Sequence, residues 1–171
     1  MRKRSMAAAV TTATALLVPA LVATPASAAS SFRLFNEQSW KCLTTNSTAD
    51  KKVAEVDNCG SSAYTKKVQS FQVIWYNHLK NVYSGKCLEI NPGSNKKVNS
   101  GDYVYQRPCK KTAPNQKWDI GPSGRVVVIQ HIRRAGEPYV FLTEKGAARY
   151  SKVIVQTQPY PVPDRQIWDK A

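Results

Sequence analysis

Ser84-Gly85-Lys86-Cys87-Leu88-Glu89-Ile90, followed by Gly101-Asp102-Tyr103-Val104, Cys109 and Asn115-Gln116-Lys117-Trp118, reads as one full copy of a unit that the chain repeats. Forty-five residues earlier, Leu34-Phe35-Asn36, Lys41-Cys42-Leu43 and Lys51-Lys52-Val53 fall on Leu79-Lys80-Asn81, Lys86-Cys87-Leu88 and Lys96-Lys97-Val98, with eight identities in register. A second marker closes each unit: Gln69-Ser70-Phe71, Gln116-Lys117-Trp118 and Gln166-Ile167-Trp168, spaced 47 and then 50 residues apart. In the third unit Phe141-Leu142-Thr143 stands where Cys42-Leu43-Thr44 stands in the first, so the unit persists without its cysteines. Three repeats of about 45 residues are expected, over roughly 31–75, 76–121 and 122–171, and a repeat of this period fixes architecture before any strand is assigned.

Within each unit the local signals are short strands and turns. Runs such as Arg125-Val126-Val127-Val128-Ile129 and Lys152-Val153-Ile154-Val155-Gln156 are β-branched or alternating, as strands require. Asn91-Pro92-Gly93-Ser94-Asn95, Gly121-Pro122-Ser123-Gly124 and Pro159-Tyr160-Pro161-Val162-Pro163 combine residues that pre-set or permit turn dihedrals. No long helical stripe follows the N-terminal segment. Four cysteines allow three connectivities. Cys42 with Cys59 and Cys87 with Cys109 keep each bridge inside one unit and preserve the repeat symmetry, closing loops of 17 and 22 residue steps. On the chain-entropy account each such loop contributes roughly 3 kcal/mol. No Cys-x-x-Cys pair occurs and His78 and His131 are remote from the cysteines, so no metal site is expected.

The first 28 residues stand apart from the repeat. Arg2, Lys3 and Arg4 precede an apolar run from Ala7 to Val22, and Pro25-Ala26-Ser27-Ala28 supplies small residues at an Ala-x-Ala site. These are the marks of a secretory signal peptide cleaved after Ala28, which implies a secreted, extracellular protein of residues 29–171. Thr11, Thr12, Thr14 and Pro19 make the run a poor membrane-spanning helix, and no later segment could span a bilayer. The chain of 171 residues carries 25 Lys plus Arg against 11 Asp plus Glu, and only three of those charges precede residue 29. Its length suits a single domain, which leaves no room for a catalytic domain beside a separate binding module. The surplus positive charge favours anionic partners through attraction that salt weakens.

Taken together, the Lys-Cys-Leu openings and Gln-x-Trp closes resemble the ricin B-chain type β-trefoil lectins over the whole exported chain. The resemblance implies an all-β fold, a β-trefoil of twelve short strands with pseudo-threefold symmetry, in which Phe71, Trp118 and Trp168 pack in a shared core. It also implies a carbohydrate pocket in each intact unit. Such a pocket uses an acidic residue two after the first Cys, a polar and then an aromatic residue shortly before the second, and the amide pair that opens the closing motif. Carboxylate and amides hold ring hydroxyls by directional hydrogen bonds, while an aromatic ring packs on the apolar face of the sugar.

Carried over residue by residue, the first unit offers Thr44, Asp57 and Val68-Gln69, and the third offers Thr143, roughly Thr157, and Arg165-Gln166. Both look lost as pockets of this kind, although Tyr160 could serve the third. The second unit keeps Glu89 with Asn115 and Gln116, and has Tyr105 at the polar position and Arg107 at the stacking one. Any saccharide site is therefore expected at Glu89, Tyr105, Arg107, Asn115 and Gln116, with Tyr103 as another ring and Arg107 suited to a carboxylate, sulfate or phosphate. A surface ion pair of Glu89 with Arg107 is the plainer use of those two residues.

No nucleophile–base pair, Gly-x-Ser-x-Gly or paired carboxylates signal hydrolysis, and His78 and His131 read as packed histidines, so no enzyme activity and no cofactor are expected. The paired basic residues Lys51-Lys52, Lys66-Lys67, Lys96-Lys97, Lys110-Lys111 and Arg133-Arg134 recur with the repeat, and a threefold fold is expected to carry the equivalent pairs Lys51-Lys52 and Lys96-Lys97 to separate sectors instead of one groove. Sequence-specific nucleic-acid binding is therefore not expected. The sequence thus points to a non-catalytic, lectin-like, monomeric protein whose partner is a glycan or an anionic polysaccharide such as acidic cell-wall polymer. Two other readings remain. One is a protein-interaction module with degenerate sugar sites, as in a toxin accessory subunit or a trefoil-type inhibitor with a protein partner. The other is an electrostatic adhesin for anionic polymers.

Overall fold

A computed structural model describes residues 30–91, 97–121 and 126–171. The expected signal peptide over 1–28 lies outside the described residues, as do most of the turn at 91–95 and the turn at 122–124. Strands occupy nearly all the regular structure. The first unit contributes β1 (Phe32–Asn36), β2 (Lys41–Thr44), the two-residue β3 (Lys52–Val53), β4 (Glu55–Asn58) and β5 (Ser70–Ile74). The second contributes β6 (His78–Asn81), β7 (Cys87–Ile90), β8 (Val104–Arg107) and β9 (Trp118–Ile120). In the third come β10 (Val126–His131), β11 (Phe141–Glu144), β12 (Val153–Gln156) and β13 (Ile167–Lys170).

The outer strands of each unit form a ring. β1 pairs with β5, β5 with β6, β9 with β10, β10 with β13, and β13 returns to β1, all antiparallel. The seam between β6 and β9 is drawn together by Trp118 N–H donating to Asn77 O at 2.8 Å. The inner strands form three hairpins, β2–β4, β7–β8 and β11–β12. These meet one another through the pairing of β3 with β8 and through bridges at Glu55–Lys152 and Tyr103–Ile154, and so cap one end of the ring. A six-stranded barrel capped by three hairpins is a β-trefoil.

Strand register makes the threefold relation explicit. Cys42 faces Asp57, Cys87 faces Arg107 and Phe141 faces Gln156. The residue of the third unit equivalent to Asp57 and Arg107 is thus Gln156, one position before the Thr157 that sequence alignment suggested. Each buried layer takes one side chain per unit: Leu34, Leu79 and Ile129 in the barrel, Leu43, Leu88 and Leu142 in the hairpins, and Phe71, Trp118 and Trp168 between them. The two indoles also donate to backbone, Trp118 to Leu88 O at 3.1 Å and Trp168 to Leu142 O at 3.0 Å. A buried indole N–H needs such a partner, whereas Phe71 has none to satisfy.

A third triplet holds neighbouring units together. Asn36 Nδ2 donates to Arg165 O and Ile167 O, on either side of Gln166, and Asn81 Nδ2 donates to Val68 O and Ser70 O, on either side of Gln69. The equivalent place in the third unit is His131, opposite Trp118, whose Nε2 lies 3.2 Å from Pro114 O. Burial lowers its pKa against the opposing pull of the Pro114 carbonyl and the Glu137 charge, and so it packs as neutral imidazole against the Trp118 ring. His78 is lowered for the same reason.

Two local features were not expected. The stretch from Cys59 to Gln69 is three residues longer than that from Cys109 to Gln116, and the surplus coils into a short helix, α1 (Ala63–Val68). Ser62 caps it by accepting from Thr65 N–H at 3.1 Å. The turn between β5 and β6 puts Trp75 and Tyr76 at φ of 51° and 70°, closed by Asn77 N–H donating to Ile74 O at 3.3 Å. Two consecutive left-handed residues, inside a three-residue connection between the paired Ile74 and His78, are the backbone signature of a primed turn, usually filled by Asn-Gly. Side chains with a Cβ there cost roughly 1–2 kcal/mol each.

Candidate functional site

Each unit is locked by its closing glutamine, and the lock determines what remains for a ligand. Gln69 donates to Asn58 O at 2.8 Å and accepts from Gly60 N–H at 3.0 Å. Gln116 donates to Pro108 O at 3.0 Å and accepts from Lys110 N–H at 2.8 Å. Gln166 donates to Thr157 O at 3.2 Å, but the residue equivalent to Gly60 and Lys110 is Pro159, which has no N–H, and Gln166 Oε1 is buried without a partner. All three side chains are buried. Their constant work is therefore to tie the closing motif to the loop behind the hairpin.

In the second unit that lock extends to the candidate site. Gln116 Nε2 also donates to Glu89 Oε2 at 2.7 Å, and Glu89 Oε1 lies 3.0 Å from Arg107 Nε. Arg107 Nε has ion-pair contact there without a directed hydrogen bond, and Arg107 Nη2 donates to Asn91 Oδ1 at 3.2 Å. The guanidinium carbon sits 5.9 Å from the centre of the Tyr105 ring, on the strand residue paired with Glu89. Asn115 lies in the 3-10 turn Pro114–Gln116 and donates to Ile90 O at 2.9 Å. Glu89, Tyr105, Arg107, Asn115 and Gln116 thus gather on one face of the β7–β8 hairpin and its following turn. The plainer use of Glu89 and Arg107 is realised as well, for they are an ion pair, and Asn115 and Gln116 bond to backbone. The side chains of Glu89 and Arg107 are 14% and 22% exposed, so the pair is accessible from solvent at its outer edge.

Tyr103 is drawn away from this face. Its hydroxyl accepts from Lys145 Nζ at 2.8 Å, with the ammonium 4.9 Å from the ring centre, joining the second hairpin to the third. In the first unit Thr44 faces Val68 O, and Asp57 pairs with Arg149 of the third unit. The third unit holds no carboxylate at the pocket position, for Thr143 donates to Phe141 O at 2.7 Å and accepts from Gln166 Nε2 at 3.2 Å. Its acid comes one residue later, at Glu144, and strand alternation turns that side chain to the other face. Glu144 is buried with neither oxygen hydrogen-bonded, and burial raises its pKa despite the nearby Ser39 hydroxyl and Lys41 charge. Tyr160 stands wholly in solvent.

Both expected disulfides are present, Cys42–Cys59 and Cys87–Cys109, each inside its own unit and flanking the hairpin it closes. A separate cleft of about 190 Å³ opens beside the first disulfide, lined by Arg33, Phe35, Cys42, Cys59, Asp169 and Ala171. No motif in the sequence pointed to it.

Residues 30–168 match the ricin-type beta-trefoil lectin domain. The chain belongs to that family, which is in general a carbohydrate-binding and non-catalytic one. No curated protein matches the sequence. Among solved structures it is similar to the designed threefold-symmetric protein ThreeFoil, at 19% identity over 82% of this chain and 97% of that one, with a TM-score of 0.67. The Rhizoctonia solani agglutinin is 18% identical over 86% of this chain and 98% of its own, with a TM-score of 0.64. An earthworm lectin C-terminal domain mutant, in complex with 6'-sialyllactose, is 11% identical over 82% and 96%, with a TM-score of 0.60. At these identities the likeness shows the fold alone.

Proposed function

We propose that the protein is a secreted, non-catalytic lectin that binds an acidic saccharide at one pocket, on the second unit. The observation that carries this reading is the Glu89–Arg107 pair, positioned by Gln116 and Asn91 and reachable from solvent at its outer edge, because the first and third units place threonine where Glu89 stands. Glu89 is an acceptor for ring hydroxyls. Arg107, with planar donors, is matched to a carboxylate, sulfate or phosphate on the same glycan, and the Tyr105 ring offers a face to sugar C–H groups. An anionic ligand competes with Glu89 for Arg107, which gives the site a preference for ligands that bring both hydroxyls and a negative charge. The two disulfides accord with an oxidising, extracellular setting. One neighbour of the fold, the earthworm domain, was itself solved with an acidic glycan.

A glycan array read at low and high salt tests this. Binding of a discrete set of acidic glycans that persists at high salt, and is lost in Glu89→Ala, is the expected result. The surplus of positive charge supports a second reading, diffuse adhesion to anionic polymers. Signal spread over every polyanion and erased by salt would favour that reading and contradict the pocket. No glycan signal together with one co-purifying protein would favour an interaction module.

A further inference from the structure

The barrel end opposite the hairpin cap carries a feature that the glycan site does not use. The β5–β6 turn projects Trp75 and Tyr76, 41% and 100% exposed, from a backbone conformation that normally selects Asn-Gly. Tyr76 buries nothing, and Trp75 makes one edge contact, with the His78 ring at 5.1 Å. Two large aromatic residues are thus held in left-handed backbone, Tyr76 with no intramolecular packing in return and Trp75 only partly covered. Such strain, where it persists, clusters at ligand clamps and contact sites.

The surroundings of the tip specify the partner. Lys117 is near enough to act on the His78 charge, the Lys110 carbonyl lies 3.3 Å from His78 Nε2, and Lys80 faces Gln72 across the ribbon. Lys111 follows Lys110, and Asp119, two residues after Lys117, is the acidic residue of β9. The local balance is positive behind an aromatic point. The tip is convex, and it meets the loop that supports the candidate glycan site at Lys110, whose carbonyl faces His78 and whose N–H donates to Gln116. Tryptophan and tyrosine favour the boundary between headgroup and acyl chain, and lysines just behind it are drawn to anionic lipid.

We infer that the Trp75–Tyr76 turn is a docking point for an anionic lipid surface, inserted into the headgroup region with Lys80 of β6 and the lysines of the loop that leads into β9, Lys110, Lys111 and Lys117, behind it. The test is co-sedimentation of the protein with vesicles of equal phosphatidylglycerol and phosphatidylcholine, and with phosphatidylcholine alone, at physiological salt. Binding to the anionic vesicles with a blue shift in tryptophan emission is expected. The double variant Trp75→Asn/Tyr76→Gly leaves the net charge unchanged and supplies the pair that the turn prefers. It should lose binding at least tenfold while its thermal midpoint stays level or rises. Tyr76→Asn alone, at a fully exposed ring, should lose binding in the same direction by less. Absence of wild-type binding, or equal binding by the double variant, would overturn the inference, the latter by assigning the attraction to charge alone. Equal partitioning onto neutral vesicles would overturn the assignment to anionic lipid.

Discussion

The second and third units start from the same strands and the same closing glutamine and reach different chemistry. Leu88-Glu89-Ile90 and Leu142-Thr143-Glu144 occupy equivalent strands, and each contains one carboxylate. In the second unit it points to the pocket face, where Gln116 and Arg107 meet it. In the third it has moved one residue along, and a period of two residues per strand places it inside, unpaired. The loop behind the hairpin differs as well, since Lys110 gives Gln116 an N–H and Pro159 gives Gln166 none. The fold tolerates both, because the barrel and cap rest on Leu, Phe and Trp layers that the changes leave alone. The side chains offered at the pocket position are thus set by single residues on a frame that does not depend on them.

The widest separation between frame and site should come from the aromatic layer. Trp118→Ala and Trp168→Ala should each lower stability by about 3–5 kcal/mol in denaturant unfolding, through lost burial and an unpaired Leu88 or Leu142 carbonyl. A much smaller loss at Trp168 would mean that the third unit has drifted in its core as well as in its pocket. Next come the locks. Gln116→Ala should cost about 2–3 kcal/mol, because it strands the Lys110 N–H and removes a partner from Glu89, and Gln166→Ala about 1 kcal/mol. Equal losses, measured by the same unfolding, would dissolve the distinction between the two units.

Acid and base behaviour sharpens the comparison. The raised pKa of Glu144 means that its contribution is fully present below the unfolded pKa and is lost as pH rises through the folded value. Glu144→Gln should therefore gain about 1 kcal/mol near pH 7 and flatten stability against pH on the mildly acidic side. His131 has the opposite sign. Its lowered pKa gives stability that is present above the unfolded histidine pKa and lost as pH falls through the folded one. His131→Asn, which installs the residue of the other two units, should remove that loss, visible as a thermal midpoint less sensitive to acidification. The smallest effect belongs to Pro159. In a double-mutant cycle of Pro159→Lys with Gln166→Ala, the restored N–H should appear as a coupling of about 0.5–1 kcal/mol, even if the single change is near neutral.

Much of this was legible in the sequence, and the reasons are physical. The repeat carried the fold because identical spacing of Leu, Cys, Asn and Gln-x-aromatic residues reflects identical neighbours, and it carried the disulfide pairing with it. The equivalence of Asn36, Asn81 and His131 was hidden, since imidazole and amide share only a nitrogen donor and not a residue type. Gln156 was misplaced by one because loop length between the hairpin and the closing motif varies, whereas strand pairing does not. The Trp75–Tyr76 turn has no Gly, Asn or Pro at its two left-handed positions, Asn77 standing one residue too late, so its strain is visible only in the backbone. The five candidate site residues were found together by motif, but their mutual engagement, Glu89 already held by Arg107 and Gln116, is a matter of distances.

The second unit is the proposed place of binding. Amide NMR of the protein titrated with the strongest acidic glycan from the array reads that directly. Perturbations centred on Glu89, Tyr105, Arg107, Asn115 and Gln116, with the third hairpin unmoved, are the predicted result. Perturbations centred on the first or third hairpin, or on the cleft beside Cys42–Cys59, would contradict it.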